Sequence, residues 1–328
     1  MNNTSLVNKV KQKTLLKESG LLVKSTKPLL KWVGGKSYLQ KDILPLIPER
    51  VVNYFDPFVG GASTLFNVLH RIKTGRMSCE GKVYASDINP FLIGFYNHVK
   101  YNVDSLVNEI NILYNEYNSC GSGKVYRNPI TKTEALSSKQ SYYYWVRENF
   151  NRNFDFVKRS NTNDSVYISA MFYFLNQTCF RGLYKVGPRG FIVPFGHYIH
   201  TFALDTEHFQ EISALIQCVV FEIKSYEEVF NHSGSNDFVY LDPPYISEDK
   251  MEAPTELKFN IRETELLCRF VRKLQDKHTR FIVHNLKTDY IIKHLVEDNL
   301  KYKEILAKTM AIKDANIMKD ELIIYNSI

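Results

Sequence analysis

Nowhere in the 328 residues does an apolar run approach the roughly 18 needed to cross a bilayer as a helix, and the first residues lack the apolar stretch of a secretory signal. The expectation is a soluble, intracellular chain with no membrane partner. Cysteine is sparse: Cys79, Cys120, Cys179, Cys218 and Cys268 are scattered, odd in number and never form a Cys-x-x-Cys pair. That excludes a disulfide framework and a zinc site of the usual spacing, and leaves reduced structural thiols with no metal expected. A G-x-G-x-x-G fingerprint is missing after the first strand-like segment, which argues against a dinucleotide. "GGKS" (34–37) ends like a phosphate-binding loop, but Leu30 stands where that loop requires glycine, which argues against ATP.

What is present is ordinary for a globular protein: 44% hydrophobic and 23% charged residues. The net charge of +7 is unevenly placed. Residues 1–27 carry Lys9, Lys11, Lys13, Lys17, Lys24 and Lys27 against Glu18 alone. Such a segment reads as a basic, solvated tail, or as an arm that follows phosphate backbone.

From Leu29 to about Tyr101 strands alternate with helices. "VVNYFD" (51–56) predicts a strand, "ASTLFNVLHRI" (62–72) a helix, "KVYASD" (82–87) a second strand, and "NPFLIGFYNHVKY" (89–101) a helix with Asn89 as its N-cap and Pro90 in its first turn. This is the βαβ pattern of a mostly parallel sheet with helices on its faces. Between Asn102 and Ala214 the texture changes. Residues 119–138 read as loop. "SYYYWVRENF" (141–150) and "DSVYISAMFYFLNQ" (164–177) read as aromatic-rich helices, and Gly187-Pro188-Arg189-Gly190 as the turn of a β-hairpin. The α/β pattern resumes with "CVVFEI", "DFVYLD" and "RFIVHN" as strands, so residues 102–214 are expected to be an insertion and residues 28–101 with 215–328 one catalytic domain.

Three strands end in aspartate: Asp56, Asp87 and Asp242. Ligands of open parallel sheets sit at the carboxyl ends of the strands, so these acids are expected to share a crevice. Gly60-Gly61, just after Asp56 and Phe58, lets backbone approach a ligand closely. Asp87 stands where an acid commonly accepts from ribose hydroxyls. A nucleoside pocket follows, and S-adenosylmethionine fits an adenosine cofactor without an extended phosphate chain.

The ordered blocks "LLKWVGGKSYL", "FDPFVGGAS", "ASDIN", "NQTCFRGLYK…GFIVPFG" and "YLDPPY" resemble the Dam-type (D12 class, group alpha) adenine-N6 DNA methyltransferases over roughly residues 28–326. The resemblance implies a Rossmann-like, doubly wound methyltransferase fold with seven strands and an inserted, mainly helical target-recognition domain carrying the hairpin. It implies Trp32, Lys36 and Phe58 at S-adenosylmethionine beside Asp56 and Gly60, Asp87 on its ribose, and Asp242 where cofactor and target base meet. Lys31, Phe180, Arg181, Leu183, Lys185 and Arg189 would contact double-stranded DNA, and a cognate restriction endonuclease would be the protein partner. The compartment would be the cytoplasm of a bacterium or of a phage- or virus-infected cell. The sequence departs from the best-known members at two positions, with Arg181 where they carry asparagine and Lys185 where they carry arginine, and its hairpin is one residue shorter. RNA or protein methyltransferases and a non-catalytic DNA-binding relative are the rival readings.

The chemistry suits the residues. The exocyclic amine of adenine is a poor nucleophile because its lone pair is delocalised into the ring. A carboxylate at Asp242 and the carbonyl of Pro243, aimed by rigid Pro243-Pro244, can accept its hydrogens as charge develops, while Tyr245 stacks on the extruded base. The expected target is a GATC-like site.

Overall fold

The computed structural model describes residues 26–198, 200–245, 261–296, 300–308 and 318–326. Of the basic tail expected over residues 1–27, only Thr26 and Lys27 fall within the described residues.

Seven strands form the central sheet: β1 (Tyr54–Asp56), β2 (Val83–Asp87), β3 (Val219–Ile223), β4 (Phe238–Leu241), β5 (Arg280–Leu286), β6 (Lys301–Lys308) and β7 (Met318–Tyr325). Their spatial order is β6-β7-β5-β4-β1-β2-β3. The five strands from β5 to β3 are mutually parallel, and β7 and β6 add antiparallel pairs at one edge. The chain winds outward one way from β1 through β2 to β3, then starts again at β4 and winds the other way. The topological switch point therefore lies between β1 and β4, where a ligand crevice is expected.

Side-chain alternation gives the sheet two apolar faces. Tyr54, Val83, Ala85, Phe238, Tyr240, Ile282 and Ile323 join one buried cluster, and Phe55, Val239, Leu241, Phe281, Val283, Leu322 and Ile324 join the other. Helices α1 (Ser63–Lys73) and α2 (Pro90–Tyr101) cover the first face, and α7 (Ile261–Asp276) covers the second. Helix α2 starts as its sequence dictates: Asn89 Oδ1 accepts from Phe91 N–H at 3.1 Å and Pro90 occupies the first turn.

Helices α3 (Val103–Ser119), α4 (Lys139–Arg152), α5 (Val166–Thr178) and α6 (Thr206–Leu215) extend the same first-face core. Phe91 of α2 packs 4.8 Å from Phe150 of α4, and Phe95 stacks 5.8 Å from Tyr173 of α5. Such pairs add about 0.5–1.5 kcal/mol each beyond the area they bury.

Two local expectations need correction. Residues 51–56 are not one strand: Arg50–Val51 pairs with Ser78–Cys79, and the sheet strand starts only at Tyr54. The break comes from Asn53, whose N–H and side-chain amide both donate to Asp237 Oδ1 at 2.9 Å while its own Oδ1 accepts from Lys82 N–H. Residues 119–138 are not all loop, because Thr131 and Glu134 close a capping box around the short helix Lys132–Leu136. Helix α3, which the sequence reading left undefined, spans 17 residues.

Candidate active site

Asp56 ends β1 and Asp242 follows β4 directly, so the two acids stand on adjacent strands flanking the switch point. Asp87 ends β2, the next strand over. Alternation puts all three on the first face of the sheet. Asp56 is buried, and its Oδ1 has no hydrogen-bond partner among the described residues. Burial, then the charges of Asp242 and Asp87, push its carboxyl well above the usual range against one backbone hydrogen bond at Phe58. Burial likewise raises Asp87, to about 6, against backbone N–H groups of Asn89, Gly60 and Ile88. The N–H of Asn89 reaches Asp87 Oδ1 at 2.9 Å.

Asp242 is held from two sides through a single oxygen. The buried Lys36 ammonium lies 2.9 Å from its Oδ1, and the Tyr245 hydroxyl donates to the same atom at 3.0 Å. Lys36 Nζ also sits 4.7 Å above the Tyr245 ring and donates to Gly34 O. Proline geometry lets Tyr245 fold back on Asp242 across only two residues. Both of these contacts fall on Oδ1, and the Asp242 side chain has no other bond among the described residues.

Gly60 and Gly61 have a use that the sequence did not reveal. Gly60 has φ +45°, and a Cβ there would lie 2.9 Å from Cδ1 and Nε1 of the Trp32 indole; a Cβ on Gly61 would lie 2.9 Å from Trp32 Cβ. The close approach these glycines permit is by Trp32. The same indole stacks on Tyr184 at 5.8 Å and 21° and lies tilted 6.4 Å from Phe172. Trp32 therefore joins the glycine turn after β1 to the segment leading into the hairpin. Phe58 behaves differently: half-buried, it stacks on Tyr226 at 5.2 Å and packs against the second-face core.

Asn176 fixes the same junction. Its Oδ1 accepts from Lys31 N–H at 2.9 Å and its Nδ2 donates to Lys31 O at 2.7 Å, an amide clamp on one backbone residue. Lys31 itself is exposed at its tip, donating to Gln177 O at 2.8 Å and lying 4.7 Å over Tyr198. Arg181 takes φ +55° in the turn Phe180–Gly182, an uncommon conformation for a side-chain-bearing residue. Phe180 is part-exposed and stands 5.2 Å from the Arg181 guanidinium. Leu183 is half-buried against the core. Strands Val186–Gly187 and Gly190–Phe191 form the hairpin, with Lys185 and Arg189 exposed on it. Asn151 pins it, exchanging two bonds with the backbone of Phe191 at 2.8 and 3.0 Å.

The structure thus brings Trp32, Lys36, Asp56, Gly60, Asp87, Asp242 and Tyr245 to one end of the sheet, with Lys31 and the hairpin joined to it. Sequence reading missed Tyr184, Asn176, and Ile88, which is 57% exposed immediately after Asp87. It also missed His284 and Glu321. These are detectable only as polar residues at inward positions of otherwise apolar strands, "RFIVHNL" and "MKDELIIY". Among the described residues no group of three or more metal-ligating side chains occurs, and no helix is long and apolar enough to cross a membrane.

Comparison with known proteins gives one consistent answer. Residues 32–310 match the family model for D12 class N6 adenine-specific DNA methyltransferase. The chain is 32% identical over 313 residues to the Type II methyltransferase M.MjaIII of Methanocaldococcus jannaschii, covering 92% of this chain and 99% of that one. It is 26% identical to the Type II methyltransferase M1.LlaDCHI of Lactococcus lactis subsp. cremoris, with 92% and 95% covered. Identity is also 26% to the DNA adenine methylase of Escherichia coli K12, with 81% and 83% covered.

Proposed function

The chain belongs to the D12 class of N6 adenine-specific DNA methyltransferases, and from that premise we propose that S-adenosylmethionine is its methyl donor and that Asp242, Pro243, Pro244 and Tyr245 carry the transfer. The observation that carries this reading is the tethering of Asp242 through Oδ1 alone, beside a buried carboxyl of Asp56 with an unpartnered oxygen. The donor set fits the cofactor. Asp87 takes ribose hydroxyls, Asp56 and Gly60 border the nucleoside and the exposed Ile88 its base, Trp32 and Lys36 complete the wall, and Phe58, packed on the second-face core, supports the glycine turn from behind. When bound, the cofactor supplies an electrophilic methyl group on a positively charged sulfur.

The chain's own residues prepare the nucleophile. Asp242 Oδ2 and the Pro243 carbonyl accept the two hydrogens of the adenine amine, which localises the nitrogen lone pair for attack. Both acceptors strengthen as positive charge grows on that nitrogen, so they lower the barrier rather than merely bind. Because Tyr245 and Lys36 share Oδ1, the acceptor role of Oδ2 and the stacking of a base on Tyr245 are compatible. The amine of a paired base is out of reach, so the adenine is extruded at a cost of a few kcal/mol. Lys31, Phe180, Arg181, Leu183, Lys185 and Arg189 are proposed to meet the DNA that compensates, with residues 102–214 as the target-recognition unit. We assign a GATC-like target, in which Lys185 donates to guanine O6 and N7. A cognate endonuclease is the proposed partner, in keeping with the names of the Type II relatives.

Labelled-methyl transfer to duplex DNA tests the assignment. Asp242→Ala is expected to lose on the order of 10²-fold or more in rate with its fold intact. Activity within a few-fold of the parent would reduce Asp242 to a strand terminator.

A further inference from the structure

A second polar pair lies behind the site, on the same face of the sheet. Leu241 is paired with Val283 in the parallel β4–β5 ladder, which sets His284 level with Asp242. His284 is fully buried, and its Nε2 stands 2.9 Å from Oε2 of Glu321, itself 4% exposed, on β7. The contact is close without being a well-aligned hydrogen bond, and Nδ1 has no partner among the described residues. The edge-on contact of His284 with the Tyr245 ring, centroids 5.9 Å apart at 66°, joins the pair to the transfer motif. The same Oε2 of Glu321 accepts from the Tyr38 hydroxyl at 3.4 Å. Burial works to raise the Glu321 carboxyl, but His284, Lys36 and Tyr38 together hold it below its ordinary value. The single Lys36 ammonium therefore serves two carboxylates, Asp242 by contact and Glu321 by its field.

Stability does not explain such an arrangement. Two buried polar groups lose their hydration, and replacing a buried ion pair with apolar side chains of similar size is often neutral or stabilising. Through His284 the pair touches the aromatic whose hydroxyl holds Asp242. We infer that His284 and Glu321 are positioning residues for methyl transfer, Glu321 holding His284 and His284 fixing the plane of the Tyr245 ring, whose hydroxyl anchors Asp242 through Oδ1. The inference rests on the assignment of Asp242 and Tyr245 made above.

The test combines thermal unfolding, equilibrium DNA binding, single-turnover methyl transfer, and fluorescence of 2-aminopurine placed at the target base, which reports stacking of the extruded base. The variant is the double His284→Leu, Glu321→Leu, with Asp242→Ala as control. The expected result is unchanged or higher thermal stability, DNA affinity within about threefold, altered 2-aminopurine fluorescence, and a single-turnover rate lower by roughly 10- to 100-fold, the scale of a misplaced reacting group. The isosteric single variants His284→Gln and Glu321→Gln take the same measurements should the apolar pair not fold. Loss in each without multiplication in their double is expected of residues acting as one unit. A folded variant with parental rate and fluorescence, beside an inactive Asp242→Ala, overturns the inference alone. An active Asp242→Ala overturns the underlying assignment instead.

Discussion

Asp87 is the residue at which burial and function pull in opposite directions. Burial raises its carboxyl to about 6, whereas its proposed role, accepting from both ribose hydroxyls at once, needs two acceptor oxygens and so the ionised form. The consequence for stability has a definite sign. Above pH 6 the group is charged in both folded and unfolded chains, so the folded state carries the whole desolvation penalty. Below about pH 4, the ordinary carboxylate range, it is neutral in both and the penalty vanishes. Asp87→Asn is therefore expected to raise the unfolding temperature of the cofactor-free protein at pH 7–8, with the gain shrinking to nothing near pH 4. The same change should weaken S-adenosylmethionine binding, and parental affinity should fall by up to tenfold per unit as pH drops below 6. Calorimetry across that range checks both, and a variant less stable at pH 8 contradicts the sign. Gly60→Ala makes a steric counterpart, since the new methyl meets the Trp32 indole at a φ of +45°. Overpacking of this kind costs about 1–3 kcal/mol, and it should shift the emission of Trp32, one of only two tryptophans, while lowering cofactor affinity.

At the scale of elements, the hairpin shows how far sequence carries. Its turn was legible because Pro188 and Gly190 act locally: Gly190 adopts φ +101°, and a Cβ there would meet Asn151 Oδ1 at 2.6 Å. Its anchoring was not legible, because Asn151 and Phe191 lie 40 residues apart. The same division runs through the fold. The strands ending at Asp56, Asp87 and Asp242 and the Asn89 cap follow from neighbouring residues, but the break before Tyr54 depends on Asp237, 184 positions away from Asn53. In the site, the acids at strand ends stand together as their spacing implied, while His284 and Glu321 meet only through the antiparallel β5–β7 ladder, which no local pattern announces. Lys185 precedes the hairpin's first strand and is exposed. If it donates to a guanine, Lys185→Ala should relax preference at one position of the target by roughly 1–3 kcal/mol. Lys185→Arg should sharpen that position, because a planar fork matches O6 and N7 where an ammonium is a point charge. Methylation of duplexes substituted one base at a time decides. An unchanged profile eliminates Lys185 as a reader, and a preferred site without GA overturns the GATC assignment.

For the molecule as a whole, charge is divided from chemistry. Every residue assigned to the site lies at or after Lys31, whereas Lys9, Lys11, Lys13, Lys17 and Lys24 precede the first described residue. Those five lysines face one acid, Glu18, so they account for most of the net +7. A cation that neutralises a phosphate releases counterions and adds about 0.9 to the slope of log affinity against log salt on duplex DNA. Deleting residues 1–25 is therefore expected to leave the single-turnover rate and cofactor affinity within about twofold, while lowering non-specific DNA affinity at low salt and flattening the salt slope by up to about 4.5 units, fewer if only some lysines reach phosphate. Site preference should not move, because phosphate contacts position a protein without reading bases. Parallel titrations of full-length and truncated protein between 50 and 200 mM salt supply the slope, the range over which several phosphate contacts change affinity by orders of magnitude. Identical slopes would make the lysines a solvated appendage with no part in DNA binding, and loss of cofactor binding would move the start of the catalytic domain upstream of Thr26.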